Sequence, residues 1–212
     1  VKFELAEQAL TVDVGGGVAL DARISLPPGP AAGVVICHPH PLYGGDMDSG
    51  VVVAAIEACA AQKLATLRFN FRGVGASSGA HDNGRGEQDD ARAALANLRR
   101  RLPADAPVAL AGYSFGAGVA AKVAERTRVG GLALIAPPLR VMPLEAPRAV
   151  RGPMLIVVGG DDQHCPADAL GPFRAMLPEA TITVLEGADH FFLGALDALG
   201  AAIGGWAAAV RG

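Results

Sequence analysis

The stretch Val108-Ala-Leu-Ala-Gly-Tyr-Ser114-Phe-Gly-Ala-Gly-Val-Ala-Ala-Lys-Val-Ala124 changes character at one residue. Before Ser114 runs a short apolar segment without alternation, the pattern of a strand covered on both faces. After it, small residues at 116, 117 and 118 lead into a helix-like segment, and small side chains let a helix start close against a sheet. A serine between strand and helix, inside the spacing G-x-S-x-G, is the pattern of a nucleophile elbow, a strained turn that lifts a hydroxyl clear of the sheet. The same spacing recurs at Gly75-Ala-Ser77-Ser-Gly79, but there the polar loop Ala80-His-Asp-Asn-Gly84 follows and no helix begins before about residue 87. Ser77 therefore reads as a loop serine, and Ser114 as the nucleophile.

Outward from this stretch the same alternation repeats. Apolar runs at Gly33–Cys37, Ala65–Phe69, Val108–Ala111, Leu132–Ile135, Met154–Val158 and Thr181–Leu185 are separated by helix-like segments near 48–62, 87–101, 115–127, 166–177 and 194–210. Strand–helix alternation with unalternating strands predicts an α/β fold: a mostly parallel sheet with helices on both faces. Ahead of it, Leu10–Val14 and Val18–Ser25 alternate around Gly15-Gly16-Gly17, which predicts an antiparallel hairpin turned on residues free to take positive φ. Ligand chemistry in such sheets gathers where strands end at their carboxyl side.

Composition sets the frame. The 212 residues are 51% hydrophobic and 18% charged, enough apolar material for one covered core, and we expect a single domain over 1–212. A net charge of −3 without a basic run points away from nucleic acid and anionic membranes as partners, and no apolar stretch is long enough to span a bilayer. Three cysteines are too few for a disulfide scaffold, so a cytoplasmic setting is expected. The chain begins without Met, and acidic residues stand where a signal peptide would have its apolar core.

A serine hydroxyl needs a histidine to take its proton, and that histidine needs a carboxylate to fix its tautomer. Of five histidines, His190 in Glu186-Gly-Ala-Asp-His190-Phe-Phe stands after the last strand and before the last helix, the best position for a base. His38 and His40 end the first parallel strand, His164 shares a loop with the acidic candidates, and His81 in its polar loop reads as a solvated surface residue. The acid is expected in Gly159-Gly-Asp161-Asp162-Gln-His-Cys-Pro166; spacing alone does not separate Asp161 from Asp162, and Asp189 reads as a cap of the last helix.

Four motifs in this order, His38-Pro-His-Pro-Leu-Tyr-Gly-Gly45, Arg68-Phe-Asn-Phe-Arg-Gly-Val-Gly75, Gly112-Tyr-Ser-Phe-Gly116 and Gly187-Ala-Asp-His-Phe-Phe192, resemble the compact, lidless α/β-hydrolases related to the dienelactone hydrolases. The resemblance runs from about residue 31 to 195. It implies an α/β-hydrolase fold, the order Ser114, Asp, His190, and the aspartate four residues before the loop proline, Asp162, as acid. Dienelactone hydrolases proper use a cysteine nucleophile where this chain has Ser114, which argues against dienelactone as substrate. An oxyanion needs two N–H donors: one expected from Phe115, the other from the His38–Gly45 loop, where Pro39 and Pro41 have none. The resemblance favours His40, with Leu42 or Tyr43 in reserve.

Rival chemistries are thinner. His38-x-His40 looks like half a metal site, but Leu42 stands where a carboxylate would be needed, so no metal and no cofactor is expected. Gly73-Val-Gly75 has Ser78 where a dinucleotide loop would have its third glycine, and Cys37 reads as filler at a buried strand end. The expected activity is hydrolysis of small soluble carboxylic esters through an acyl-enzyme on Ser114. A thioesterase or peptidase on the same residues, or a hydrolase-like binding protein, are the alternatives. The gap between the fourth and fifth parallel strands, Ala136 to Pro153, holds Pro137, Pro138, Pro143, Pro147 and Pro153, which forbid a helical lid.

Overall fold

The computed structural model describes residues 5–142, 145–166 and 169–212; Pro143 of the proline-rich gap and residues 167–168 of the expected 166–177 helix lie outside these. The strands are β1 (Gln8–Gly15), β2 (Val18–Ser25), β3 (Gly33–Cys37), β4 (Ala65–Phe69), β5 (Val108–Tyr113), β6 (Leu132–Ile135), β7 (Met154–Gly159) and β8 (Thr181–Leu185). They form one sheet in the order β1-β2-β4-β3-β5-β6-β7-β8. From β4 to β8 all neighbours are parallel, while β1–β2 is an antiparallel hairpin whose second strand pairs antiparallel with β4. Gly15, Gly16 and Gly17 all have positive φ and form the turn of the β1–β2 hairpin.

The helices are α1 (Gly50–Ala61), α2 (Gly86–Arg99), α3 (Phe115–Ala124), α4 (Leu170–Met176) and α5 (Leu196–Arg211). Alternate side chains of each central strand enter opposite cores. Val35, Leu110 and Ile156 pack with α2, α3 and α4, whereas Val34, Ala109 and Leu155 pack with α1 and α5. Both faces of the sheet are thus dry, which is why the strands show no polar alternation. The fold is the α/β-hydrolase architecture expected from the sequence.

Two consequences position the site. The chain leaves β3 for β4 on one side and returns to β5 on the other, so the loops after β3 and β5 part at a switch point, where such sheets open a crevice. The segment from Ala136 to Pro153 holds no helix or strand among its described residues. Its later part is stitched to the end of α3 and the turn after it: Ala149 N donates to Ala124 O, and Arg151 N donates to Val129 O. Met142 packs where a Cβ on Gly118 would stand. No helix among the described residues is long and apolar enough to cross a membrane.

Candidate active site

Ser114 lies between β5 and α3 with φ 53° and ψ −118°, left-handed backbone that a residue with a Cβ adopts at a cost on the order of 1–3 kcal/mol. The flanking glycines make the turn possible. A Cβ on Gly112 would stand 2.2 Å from Gly116 O, and one on Gly116 would stand 2.3 Å from Cys37 O and 2.4 Å from His38 O. The elbow therefore presses backbone to backbone against the end of β3, with no room for a side chain. Ser114 N donates to Ile135 O, and Ser114 O accepts from Ala117 N and Gly118 N, so the strained residue is pinned on both sides.

The structure brings Ser114, His190 and Asp162 into one hydrogen-bonded line. His190 Nε2 is 3.0 Å from Ser114 Oγ, and His190 Nδ1 is 2.8 Å from Asp162 Oδ2. A carboxylate only accepts, so Nδ1 carries the proton and the neutral ring's Nε2 is free to accept from the hydroxyl. Asp162 has a fully buried side chain, and its Oδ1 accepts from His164 N at 2.7 Å and Cys165 N at 3.1 Å. Burial pushes its carboxyl up, but the His190 hydrogen bond and charge, with those two N–H donors, hold it below the ordinary aspartate value. Asp161 is exposed and contributes its backbone N–H to Ala188 O; the geometry selects Asp162 from the pair.

Three further side chains, of which only Tyr113 went unread in the sequence, support this line. Tyr113, the residue before Ser114, donates its hydroxyl to His190 O at 3.0 Å and so ties the histidine loop to the elbow strand. The His164 ring stands edge-on to His190 with centroids 4.6 Å apart. Asp189 does not cap α5, which opens at Leu196 behind Ala195. Its Oδ1 accepts from Phe191 N and Leu193 N, both at 3.0 Å, and closes the turn that presents His190. An aspartate two residues before the N–H it holds caps the nearest turn, not a helix seven residues on.

The two expected oxyanion donors are both unspent. Phe115 opens α3, so no preceding helical turn takes its N–H, and among the described residues the His40 N–H has no acceptor either. The reserve donors are committed: Leu42 N donates to His40 Nδ1 at 3.2 Å, and Tyr43 N donates to His40 O at 3.1 Å. His38 and His40 are likewise occupied within the protein. His38 Nε2 accepts from Phe71 N at 2.9 Å and Nδ1 donates to Pro39 O at 2.6 Å, an arrangement open only to a neutral ring. Burial brings the His38 pKa down to about 4. The Cys37 thiol is buried and pushed far above its ordinary value by that burial and by Asp90. Ser77, the other G-x-S-x-G serine, accepts from Asp21 N at 2.9 Å and donates to Asn70 O at 2.8 Å, a structural staple between β2 and the loop after β4.

The model of the alpha/beta hydrolase domain matches residues 31–197. The chain belongs to the α/β-hydrolase family. Among solved structures, an α/β serine hydrolase homologue from Coxiella burnetii is 34% identical, covers 95% of this chain and 98% of its own, and superposes with a TM-score of 0.81. An α/β serine hydrolase without lid from Xanthomonas campestris is 32% identical over 95% of this chain and 93% of its own, also at 0.81. A protein of Rickettsia prowazekii is 34% identical over 183 residues, 81% of this chain and 75% of that one. This α/β-hydrolase is thus a member of the serine-hydrolase group within the family, with a lidless relative.

Proposed function

We propose that this α/β-hydrolase cleaves small, soluble carboxylic esters through an acyl-enzyme on Ser114, with His190 as general base and Asp162 as its orienting acid. The observation that carries the reading is the line Ser114 Oγ–His190–Asp162 at 3.0 and 2.8 Å, beside two backbone N–H groups with no acceptor among the described residues. Ser114 Oγ attacks the ester carbonyl while its proton passes to His190 Nε2. The carbonyl oxygen becomes an oxyanion held by the N–H groups of Phe115 and His40. Collapse breaks the bond to the alkoxy oxygen, which leaves with the His190 proton as an alcohol. Water then attacks the acyl-serine, giving its proton to His190, and the acid departs as Ser114 recovers its hydroxyl. Every proton and electron pair is supplied by ester, water and these residues, so the cycle closes without a cofactor.

The size preference follows from the rim. In the segment after β6, Ala149 is fastened to the last residue of α3, and the large apolar side chains Leu42, Tyr43, Phe191 and Leu193 stand in solvent. Each buried CH₂ is worth about 0.8 kcal/mol, roughly fourfold in kcat/KM, but only while there is wall to bury it. A panel of p-nitrophenyl esters and acyl thioesters tests this. We expect a rise up to acyl chains of about two to six carbons by that transfer energy, then a plateau or fall, with no surge at the substrate's solubility limit. A preference for long chains, a jump at the lipid–water interface, or thioesters outrunning esters would overturn the substrate assignment.

A further inference from the structure

The start of α2, behind the loop from β4, carries a buried carboxylate that the hydrolytic cycle does not use. Glu87, in the first turn of α2, is 0% exposed. Its Oε1 accepts from Asp82 N and its Oε2 from Gly84 N, both at 2.8 Å. A buried acid is costly unless hydrogen bonds hold its charge, and these two do. The two N–H groups account for the loop's shape. They do not account for His81, whose ring, expected to be solvated, is only 9% exposed and has Nδ1 2.8 Å from Glu87 Oε1. That approach is out of line for a hydrogen bond, and Nδ1 has no hydrogen-bond partner among the described residues, so the carboxylate and the ring meet in close contact without bonding.

The other face of the ring meets the site. The centroids of His81, His40 and Phe115 form a triangle: His40–Phe115 4.7 Å, His40–His81 5.1 Å and His81–Phe115 5.5 Å. His40 and Phe115 are the two expected oxyanion donors, neither with an acceptor for its N–H among the described residues. His40 is also the linchpin of its own turn, because Nδ1 accepts from Leu42 N and its carbonyl from Tyr43 N and Gly45 N. The Nδ1 role requires a ring unprotonated at that atom. Burial, and then the charge of His81, lower the His40 pKa, in keeping with that requirement.

We propose that His81, held against Glu87, is a positioning residue that braces the His40 ring and thereby fixes the His40 N–H beside the Phe115 N–H. This rests on the assignment of those two groups to the oxyanion. His81 touches no reacting atom in this scheme; it acts through His40. Removing the brace lets the loop drift, and since the oxyanion forms only in the transition state, the loss falls on kcat and not on substrate affinity. A displacement near 1 Å costs on the order of 100-fold and loss of one donor about 100- to 1,000-fold, so partial loosening is set at about tenfold to 100-fold.

The test is a double-mutant cycle on the full chain with p-nitrophenyl acetate, using His81→Ala, His40→Ala and the double variant, with folding checked by circular dichroism. We expect His81→Ala to lower kcat about tenfold to 100-fold with KM within about threefold. The double variant should fall no further than His40→Ala, because both act through one ring. Glu87→Gln, whose single oxygen can hold only one of the Asp82 and Gly84 N–H groups, should loosen the loop under His81 and lower kcat in the same sense. Should His81→Ala not fold, His81→Gln carries the same measurement. Wild-type kcat in a folded His81 variant, a loss confined to KM, or losses that multiply in the double variant each overturn the inference while leaving the esterase reading intact. Absence of Ser114-dependent turnover in the wild type would instead overturn that reading, and the inference with it.

Discussion

Replacing Asp162 by Asn changes one atom and reverses the polarity of the whole line. The carboxylate accepts three hydrogen bonds: His164 N and Cys165 N at Oδ1, and His190 Nδ1 at Oδ2. An amide has one oxygen. Two N–H donors converge on the Oδ1 position at 2.7 and 3.1 Å, so the oxygen must stay there and the NH₂ must face His190. Nδ1 can then only accept, the ring proton moves to Nε2, and Nε2 donates to Ser114 Oγ where it should accept. The base is lost although the side chains barely move. An orienting aspartate lost in this way costs about 10,000-fold in kcat, or roughly 5.5 kcal/mol on the barrier. Asp161→Asn is the control, because Asp161 is exposed and the bond it makes to Ala188 O is from its backbone. Its kcat should stay within about twofold, as expected for a surface change away from the reacting groups. Steady-state ester hydrolysis of both variants, at a pH where the imidazole is neutral, decides the matter. An Asp162→Asn enzyme retaining more than about a tenth of wild-type kcat, where about 10,000-fold loss is expected, would refute the reasoning, as would Asp161→Asn being the crippled variant.

Ser77→Ala should keep wild-type turnover and lose about 1–2 kcal/mol of stability by denaturant titration, because Asp21 N and Asn70 O lose their shared partner; an inactive, folded variant would unseat the elbow assignment. His38 should make the fold acid-sensitive: its pKa is about 4 when folded, brought down by burial, against about 6.5 unfolded. The unfolded chain takes the proton first, so stability is complete above about pH 6.5 and declines by about 3 kcal/mol as the pH falls to 4. Unfolding free energies across that window should show a shallower slope in His38→Gln, and an unchanged slope would remove His38 as the cause.

Much of the architecture was legible because its signals are local. β3, β4, β6 and β8 begin and end where their apolar runs do; α1, α3 and α4 fall within the helix-like segments, and α2 and α5 overrun theirs by one residue at one end. β5 extends past Ala111 to Tyr113, since the elbow keeps Gly112 and Tyr113 in the strand until Ser114 turns. The strand order was not legible; the pairing of β2 with β4 joins residues more than forty positions apart and leaves no local mark. The site divides in the same way. Ser114 and His190 are announced by their strand ends, whereas Asp162 was distinguished from Asp161 by resemblance and then by geometry. His81 was misread because its loop is polar: its burial depends on Glu87, His40 and Phe115 folding over it, and no composition of residues 80–84 encodes that. Asp189 was misplaced because capping reaches only two to four residues, and the turn lay nearer than the helix.

The central claim is that Ser114 is the nucleophile, and its most direct measurement is the mass of the adduct left by a fluorophosphonate. Such a reagent reacts with a serine whose proton is taken by a neighbouring base and leaves a stable phosphonyl ester. Digestion and mass spectrometry of the treated wild type should place one phosphonyl group on the peptide containing Ser114, with ester hydrolysis lost in step, and Ser114→Ala should take up none and turn over no ester. No adduct at all, an adduct on Ser77, or a Ser114→Ala variant that hydrolyses esters at the wild-type rate would contradict the account.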